Sequence, residues 1–266
     1  MSVKSSDERL DVKSVYTLRT HEINANLKVL YDKLVADLGY ENVFVLYDAT
    51  NVKLPEDCPI DKDRIYVVDD PLCLKNNSFH DKGHRSGSAS MSFWHPETSF
   101  VLLGYWLTFV KKITFDYIWF VEYDVHCNGD FAKAFGKCDS IPADFMARGR
   151  DNGPEDFRVG SRDPWCWWGE LQGEIAAVPQ ANRVGCFLPL VRCSKKMLDS
   201  MRNHFNKSTG FCEVYMTTLA SKENLVAKPL PLDALGIFRY RPLVTEEEFK
   251  AFKGPTDVLF HPVKIF

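Results

Sequence analysis

Residues 115–125 read FDYIWFVEYDV, a strongly apolar run that leads directly into two carboxylates. A segment that is apolar at consecutive positions is typical of a strand covered on both faces of a sheet. Glu122 and Asp124 follow where this strand ends, so both carboxylates can approach one cation. Oxygen ligands of this kind suit Mg²⁺ or Mn²⁺. The alternative is an acidic turn after an edge strand, since a chain with 36 acidic residues offers several such triplets.

The residues before this strand alternate between strand-like and helix-like patterns. Residues 14–18, 43–47 and 65–68 are β-prone, while residues 21–38 and 100–110 have the character of helices. This rhythm predicts an α/β fold in which helices flank a mixed, mainly parallel central sheet. Ligands bind at the carboxyl ends of the strands in such sheets, and the second predicted strand ends there in Asp48.

The second half of the chain is less regular. Residues 144–147, 185–191 and 257–260 are predicted strands, and Ser194 is a predicted N-cap for a helix that reaches residue 205. Residues 245–248, TEEE, match a capping box. Because no Pro-, Gly- or Ser-rich linker divides the chain, we expect residues 1–266 to form a single domain.

Composition narrows the class of protein. The chain has 266 residues, of which 45% are hydrophobic and 26% charged, with a formal net charge of -3. This balance excludes a disordered chain and argues against a nucleic-acid binder. No stretch approaches the roughly 18 apolar residues of a membrane span, and the first residues lack the apolar core of a secretory signal. We therefore expect a cytoplasmic protein, unless an anchor was removed.

Three segments together resemble a known family. They are residues 15–20 (VYTLRT), 115–131 (FDYIWFVEYDVHCNGDF) and 259–264 (LFHPVK). In this order they resemble the metal-dependent glycosyltransferases of the GT-A fold, which use nucleotide sugars. The resemblance implies a GT-A-like (Rossmann-like) domain, with the nucleotide sugar bound by residues 1–125 and the acceptor by residues 126–266.

The resemblance implies a metal site made of Glu122, Asp124 and His261. A histidine that precedes a proline near a terminus would otherwise be read as a surface residue. Neutral imidazole suits Mn²⁺ better than Mg²⁺, so Mn²⁺ is the expected cofactor and Mg²⁺ the alternative. Many members of the family have aspartate where this chain has Glu122. It is therefore open whether Glu122 binds the metal or instead the sugar or ribose, and Asp124 is the firmer metal ligand.

The resemblance also implies contacts to the donor. The expected contact residues are Thr17, Arg19, Asp48, His84, Arg85, Glu122 and Tyr123. Thr17 and Arg19 would contact the base or ribose, and Asp48 the base. His84 and Arg85 belong to a polar, glycine-rich loop, where they are possible diphosphate contacts. A solvated loop is the alternative explanation for them.

An inverting transferase needs a base that takes the proton of the acceptor hydroxyl. Glu213 opens an otherwise apolar helix and resembles the acidic residue that follows the acceptor loop in GT-A enzymes. The alternative is that its carboxylate only stabilises the helix N-terminus. Asp163 and Glu170 are substitutes for this role. A retaining enzyme would not require such a base.

Residues 165–168, WCWW, contain three tryptophans that cannot all face one core. At least one ring is expected to be exposed, and aromatic rings pack well against the C–H faces of sugars. Trp167, Trp168 and Glu170 are therefore candidate acceptor contacts. The alternative is that most of these rings fill the core of the second half.

The expected function is a hexosyl- or pentosyltransferase that moves a sugar from a nucleoside-diphosphate sugar, with UDP favoured, to a glycan or another hydroxyl acceptor. One alternative is a nucleotidyltransferase or phosphohydrolase with a carboxylate metal site at a strand end. Such an enzyme would normally have a glycine-rich phosphate loop after its first strand, and residues 17–22 contain no glycine. Another alternative is a non-catalytic carbohydrate-binding protein.

Overall fold

The structure is a computed structural model that describes residues 13–78, 90, 94–149, 156–162 and 164–264. Its strands are β1 Ser14–Thr20, β2 Val43–Asp48, β3 Ile65–Val68, β4 Tyr117–Glu122, β5 His126–Cys127, β6 Phe145–Arg148, β7 Arg158–Val159, β8 Gln172–Gly173, β9 Val184–Gly185, β10 Phe187–Ser194, β11 Ser208–Thr209, β12 Ala227–Pro229, β13 Leu235–Phe238 and β14 Leu259–His261. Its α-helices are α1 Ala25–Leu38, α2 Asp70–Asn76, α3 Pro96–Tyr105, α4 Phe131–Gly136, α5 Lys195–Asn203, α6 Cys212–Lys222 and α7 Glu246–Ala251.

The central sheet has seven strands in the order β12-β6-β10-β4-β1-β2-β3. The neighbours β4-β1, β1-β2, β2-β3 and β12-β6 are parallel, whereas β10 runs antiparallel to both β4 and β6. The prediction of a mixed, mainly parallel sheet flanked by helices is therefore confirmed. Within the described ranges, every helix is too short or too polar to cross a bilayer.

Strand β4 lies in the middle of the sheet and contributes to a hydrophobic core on each face. Phe120 points to one core, where its ring stacks on Phe100 with ring centroids 3.6 Å apart. Trp119 and Val121 point to the other core, where Trp119 packs against Phe135. Burial on both faces explains why the sequence of β4 is apolar at consecutive positions instead of alternating.

Local signals place most element boundaries. Helix α1 begins four residues later than predicted, because the side chain of Asn24 accepts the backbone N–H of Leu27 and caps the helix there. It ends before Gly39, whose φ of 86° favours glycine. Ser194 and the capping box at Thr245 also cap α5 and α7 as predicted.

Two further elements differ more strongly from the prediction. The helix expected over residues 100–110 begins earlier, at Pro96, and its last turn, Trp106–Val110, is π-helical. The strand expected over residues 185–191 is divided into β9 and β10, because the chain leaves its pairing with β7 and joins the central sheet. Strand β10 then continues three residues further than predicted, to Ser194.

A small sheet brings the end of the chain to the carboxyl edge of β4. Its strand order is β13-β14-β5, with β14 antiparallel to β5. The backbone N–H of Val263 donates to the carbonyl oxygen of Asp124 over 2.9 Å. The terminal segment is therefore held directly against the two carboxylates that follow β4.

Candidate functional site

Glu122, Asp124 and His261 converge at the carboxyl edge of the central sheet. One possible ligand atom from each residue lies within 4.8 Å of the others. His261 Nε2 is 3.7 Å from Glu122 Oε2 and 3.4 Å from Asp124 Oδ1. In the described part of the chain, no other group of three His, Cys, Asp or Glu side chains comes this close together.

These three residues fit a divalent cation. Asp124 is only 8% exposed, and its Oδ1 is buried without a hydrogen-bond partner. A buried carboxylate oxygen without a donor is costly, and a bound cation would remove that cost. Two carboxylates and one imidazole form a donor set that suits Mn²⁺. We refer to Glu122, Asp124 and His261 as the candidate metal centre.

The imidazole of His261 is oriented by the backbone. Its Nδ1 lies 2.9 Å from the carbonyl oxygen of Arg239, and a bond donated there turns Nε2 toward the two carboxylates. Burial disfavours the charged ring, but Asp124 and Glu122 outweigh that effect and raise the pKa of His261 to about 9. The proton on this ring neutralises part of the carboxylate charge, and a cation bound through Nε2 would have to replace it.

Arg19 is the fourth charged group of this edge. It stands directly beside Glu122 in the register of β1 and β4, and its Nη2 donates to Glu122 Oε1. Glu122 thus has one oxygen committed to Arg19 and the other directed at His261. Among the described residues, Asp124 pairs with His261 but with no arginine or lysine, which makes the two carboxylates unequal.

Tyr123 and Lys264 border the centre. The ring of Tyr123 packs edge-on against His21, with centroids 5.3 Å apart, and burial raises the pKa of its hydroxyl to about 12. Lys264 Nζ lies 6.0 Å from the centroid of the same ring. Sequence reasoning did not select Lys264, although its position three residues after His261 was a usable signal.

Of the other expected donor contacts, only Asp48 is described at this edge of the sheet. Asp48 ends β2, and its carboxylate accepts hydrogen bonds from the backbone N–H of Thr50 and the hydroxyl of Ser90. Thr17 is fully buried in the middle of β1. His84 and Arg85 lie outside the described residues. The donor-binding roles of these residues stay predictions.

Glu213 lies in the first turn of α6, beside the start of β10. Its Oε1 accepts the backbone N–H of Leu188 over 3.3 Å, and its carbonyl accepts that of Cys186 over 2.9 Å. These two bonds flank Phe187, whose ring centroid is 5.2 Å from that of His261. Glu213 is thus linked to the candidate metal centre through one side chain, and its role as base stays a prediction. The substitute Asp163 lies outside the described residues.

The tryptophan run has both packed and accessible rings. Trp168 is 2% exposed and belongs to the core, so its ring offers no open face here. Trp165 and Trp167 are half-buried, and Trp167 stacks on Phe211 with centroids 4.4 Å apart. Glu170 is half-buried at the end of the run. Contacts of Trp167, Trp168 and Glu170 with an acceptor stay predictions.

Comparison with known proteins gives structural similarities only. No protein-family model matches the chain, and no curated protein matches it. Similar solved structures include an active-site mutant of the galactosyltransferase LgtC, with a TM-score of 0.45, 10% identity, and coverage of 91% of this chain and 79% of that one. Mouse xyloside xylosyltransferase 1 has a TM-score of 0.41, 10% identity, and coverage of 95% and 97%.

A third similar structure is the inositol-1-phosphate CTP transferase from T. maritima, with a TM-score of 0.42, 11% identity, and coverage of 84% of this chain and 86% of that one. Two of these three proteins are glycosyltransferases, the class that the sequence resembles. Because every TM-score is below 0.5, these likenesses carry no argument about what this chain does.

Proposed function

We propose that this chain is a metal-dependent glycosyltransferase that transfers a hexose or pentose from a nucleoside-diphosphate sugar, with UDP favoured, to a hydroxyl group of a glycan. The observation that carries the proposal is the convergence of Glu122, Asp124 and His261 at the end of β4. Ligands of an α/β sheet bind at this edge. A carboxylate–imidazole centre there is suited to a cation that accompanies a diphosphate.

The charged residues of this edge would have different roles in binding the donor and the cation. Asp124, Glu122 and His261 would hold Mn²⁺, with Mg²⁺ as the alternative. When bound, the cation would act as a Lewis acid that offsets the charge developing on the leaving diphosphate. Arg19 keeps Glu122 in place through their ion pair. Lys264, next to Tyr123, adds a positive charge on the approach to the centre.

Transfer requires one bond to form and another to break. The acceptor oxygen attacks the anomeric carbon, and the bond from that carbon to the diphosphate oxygen breaks. In an inverting reaction, Glu213 would take the proton that the acceptor hydroxyl loses. Its position beside β10, on the side of β4 opposite β1 and β2, would separate this base from the nucleotide.

The test is a panel of UDP-, GDP- and dTDP-sugars incubated with Mn²⁺, with release of nucleoside diphosphate as the measurement. We expect slow donor hydrolysis with a UDP-sugar, and loss of that activity in excess EDTA. Asp124→Asn should reduce turnover by at least about 10²-fold, because a neutral amide cannot replace the carboxylate ligand.

The matched control is Asp32→Asn, which removes a carboxylate from an exposed ion pair with Lys28 on α1. This variant should keep the wild-type rate. Wild-type activity in excess EDTA would remove the metal from the proposal. If the wild-type protein neither hydrolyses nor binds any nucleotide sugar, the proposed function itself is contradicted.

A further inference from the structure

Three aromatic rings form a wall beside the candidate metal centre. Phe187, Phe238 and Tyr240 make up this aromatic wall. The ring centroids of Phe187 and Phe238 lie 5.2 and 5.4 Å from that of His261, and Tyr240 packs edge-on against Phe187 at 5.9 Å. Phe238 is buried and Phe187 is half-buried, whereas Tyr240 is 64% exposed. The aromatic wall thus extends from the buried side chain of His261 to the exposed ring of Tyr240.

The turn that carries Tyr240 is held firmly. The guanidinium of Arg239 donates to the carbonyl oxygens of Pro242 and Leu243 over 2.8 and 3.1 Å. It also pairs with Glu248 at 2.9 Å. An exposed aromatic ring on an immobilised turn loses little conformational freedom when a ligand covers it.

The same turn orients the metal ligand. The carbonyl oxygen of Arg239 lies 2.9 Å from Nδ1 of His261, and the backbone N–H of Arg239 donates to the carbonyl of His261. Tyr240 is the next residue along the chain. The backbone of Tyr240 is therefore held at a set position relative to the centre, and its ring packs edge-on against Phe187, as a substrate platform requires.

The aromatic wall begins on β10, on the side of β4 opposite the residues that are proposed to contact the nucleotide. Strand β4 has β1 and β2 on one side, where Arg19 and Asp48 lie, and β10 on the other. Phe187 is the first residue of β10, and Glu213 binds the backbone on both sides of it. The wall and the proposed base thus border the same part of the centre.

We propose that Tyr240, supported by Phe187, is the stacking platform for the acceptor sugar. This inference rests on the proposed function and adds the site of the second substrate. A sugar ring has an apolar C–H face and polar hydroxyl edges, so it can cover an aromatic ring while its hydroxyls stay hydrated or bonded. The guanidinium of Arg241 lies over the Tyr240 ring, 5.7 Å from its centroid, so its N–H groups can donate to the hydroxyls of a sugar that packs on this ring.

The experiment uses the full chain with Mn²⁺ and the donor that it hydrolyses. The probes are the p-nitrophenyl glycosides of galactose, glucose, xylose, mannose and N-acetylglucosamine. Binding is measured by saturation-transfer NMR, and transfer by chromatography of the products. Tyr240→Ala should raise the KM for the acceptor about tenfold and the KM for the donor at most about twofold. Tyr240→Phe keeps the ring and should restore the acceptor KM to within about twofold.

The control is Phe109→Ala, which removes a 59% exposed ring from the π-helical turn after α3 and should leave both KM values unchanged. An unchanged acceptor KM in Tyr240→Ala overturns the inference, as does a rise in donor KM alone. It is also overturned if the wild-type protein hydrolyses a donor but binds none of the five glycosides. Absence of donor hydrolysis in the wild type instead contradicts the proposed function.

Discussion

At the scale of single residues, the two carboxylates that follow β4 have different tasks. Both carboxylates face His261, but Glu122 also pairs with the permanently charged guanidinium of Arg19, whereas Oδ1 of Asp124 is buried without a hydrogen bond, 3.4 Å from the imidazole. A group that already forms an ion pair must give up part of that stabilisation to bind a cation. Asp124 therefore has more to gain from the metal, and we propose it as the principal carboxylate ligand.

The proposed role of Glu213 as base predicts the effect of replacing its carboxylate. Glu213→Gln keeps the size of the side chain and an oxygen that can accept the N–H of Leu188, but it removes the basic carboxylate. We expect transfer to fall by at least about 10²-fold while Mn²⁺ affinity and donor hydrolysis in the absence of acceptor change little. Transfer kinetics with the best glycoside check this, and an unchanged rate would remove Glu213 from the role of base.

At the scale of elements, β9 shows how closely the second half is packed. A Cβ at Gly185 would lie 2.5 Å from Cζ3 of Trp165 and 3.1 Å from Cη2 of Trp168. These two rings pack edge to face against each other, with centroids 5.3 Å apart. Two rigid indole rings packed against each other cannot change rotamer as easily as a flexible side chain. Position 185 of β9 therefore requires glycine.

We therefore predict that Gly185→Ala lowers the free energy of unfolding by about 1–3 kcal/mol, the usual cost of overpacking. Urea denaturation followed by tryptophan fluorescence measures this change. Gly169→Ala is the matched control, because no atom lies within 4 Å of the Cβ it would add. Equal stabilities of the two variants would show that the tryptophans rearrange freely around β9.

At the scale of the whole molecule, the candidate metal centre joins the middle of the chain to its last strand. Asp124 follows β4, whereas His261 belongs to β14, and only the folded chain brings them together. A ligand that binds the folded state alone stabilises it by mass action, by about 2.7 kcal/mol at a concentration 100 times its Kd.

For a chain of this size, such binding predicts that saturating Mn²⁺ raises the Tm by roughly 5–10 °C. Differential scanning calorimetry with and without Mn²⁺ checks the shift, and EDTA should reverse it. His261→Ala should abolish the shift, because it removes the ligand that ties the last strand to the centre. A shift of the same size in His261→Ala would place the ion elsewhere.

Elements whose signals are local could be predicted from the amino-acid sequence. The apolar run of β4, the cap at Ser194 and the capping box at Thr245 depend on neighbouring residues, so their patterns were sufficient to predict them. The acidic pair at 122 and 124 was visible for the same reason. The start of α1 was predicted too early because Ile23 fits the apolar period of the helix, whereas the bond from Leu27 to Asn24 places the cap after it.

Contacts between side chains that are distant in the chain could be read only from the folded structure. The approach of His261 depends on the pairing of β14 with β5 and on the turn at Arg239, and the Arg19–Glu122 ion pair depends on the register of β1 against β4. No pattern in the sequence around Tyr240 indicates that its ring is exposed close to the candidate metal centre. Such contacts arise from strand order and register, which are set by the packing of the whole core and not by residues close together in the chain.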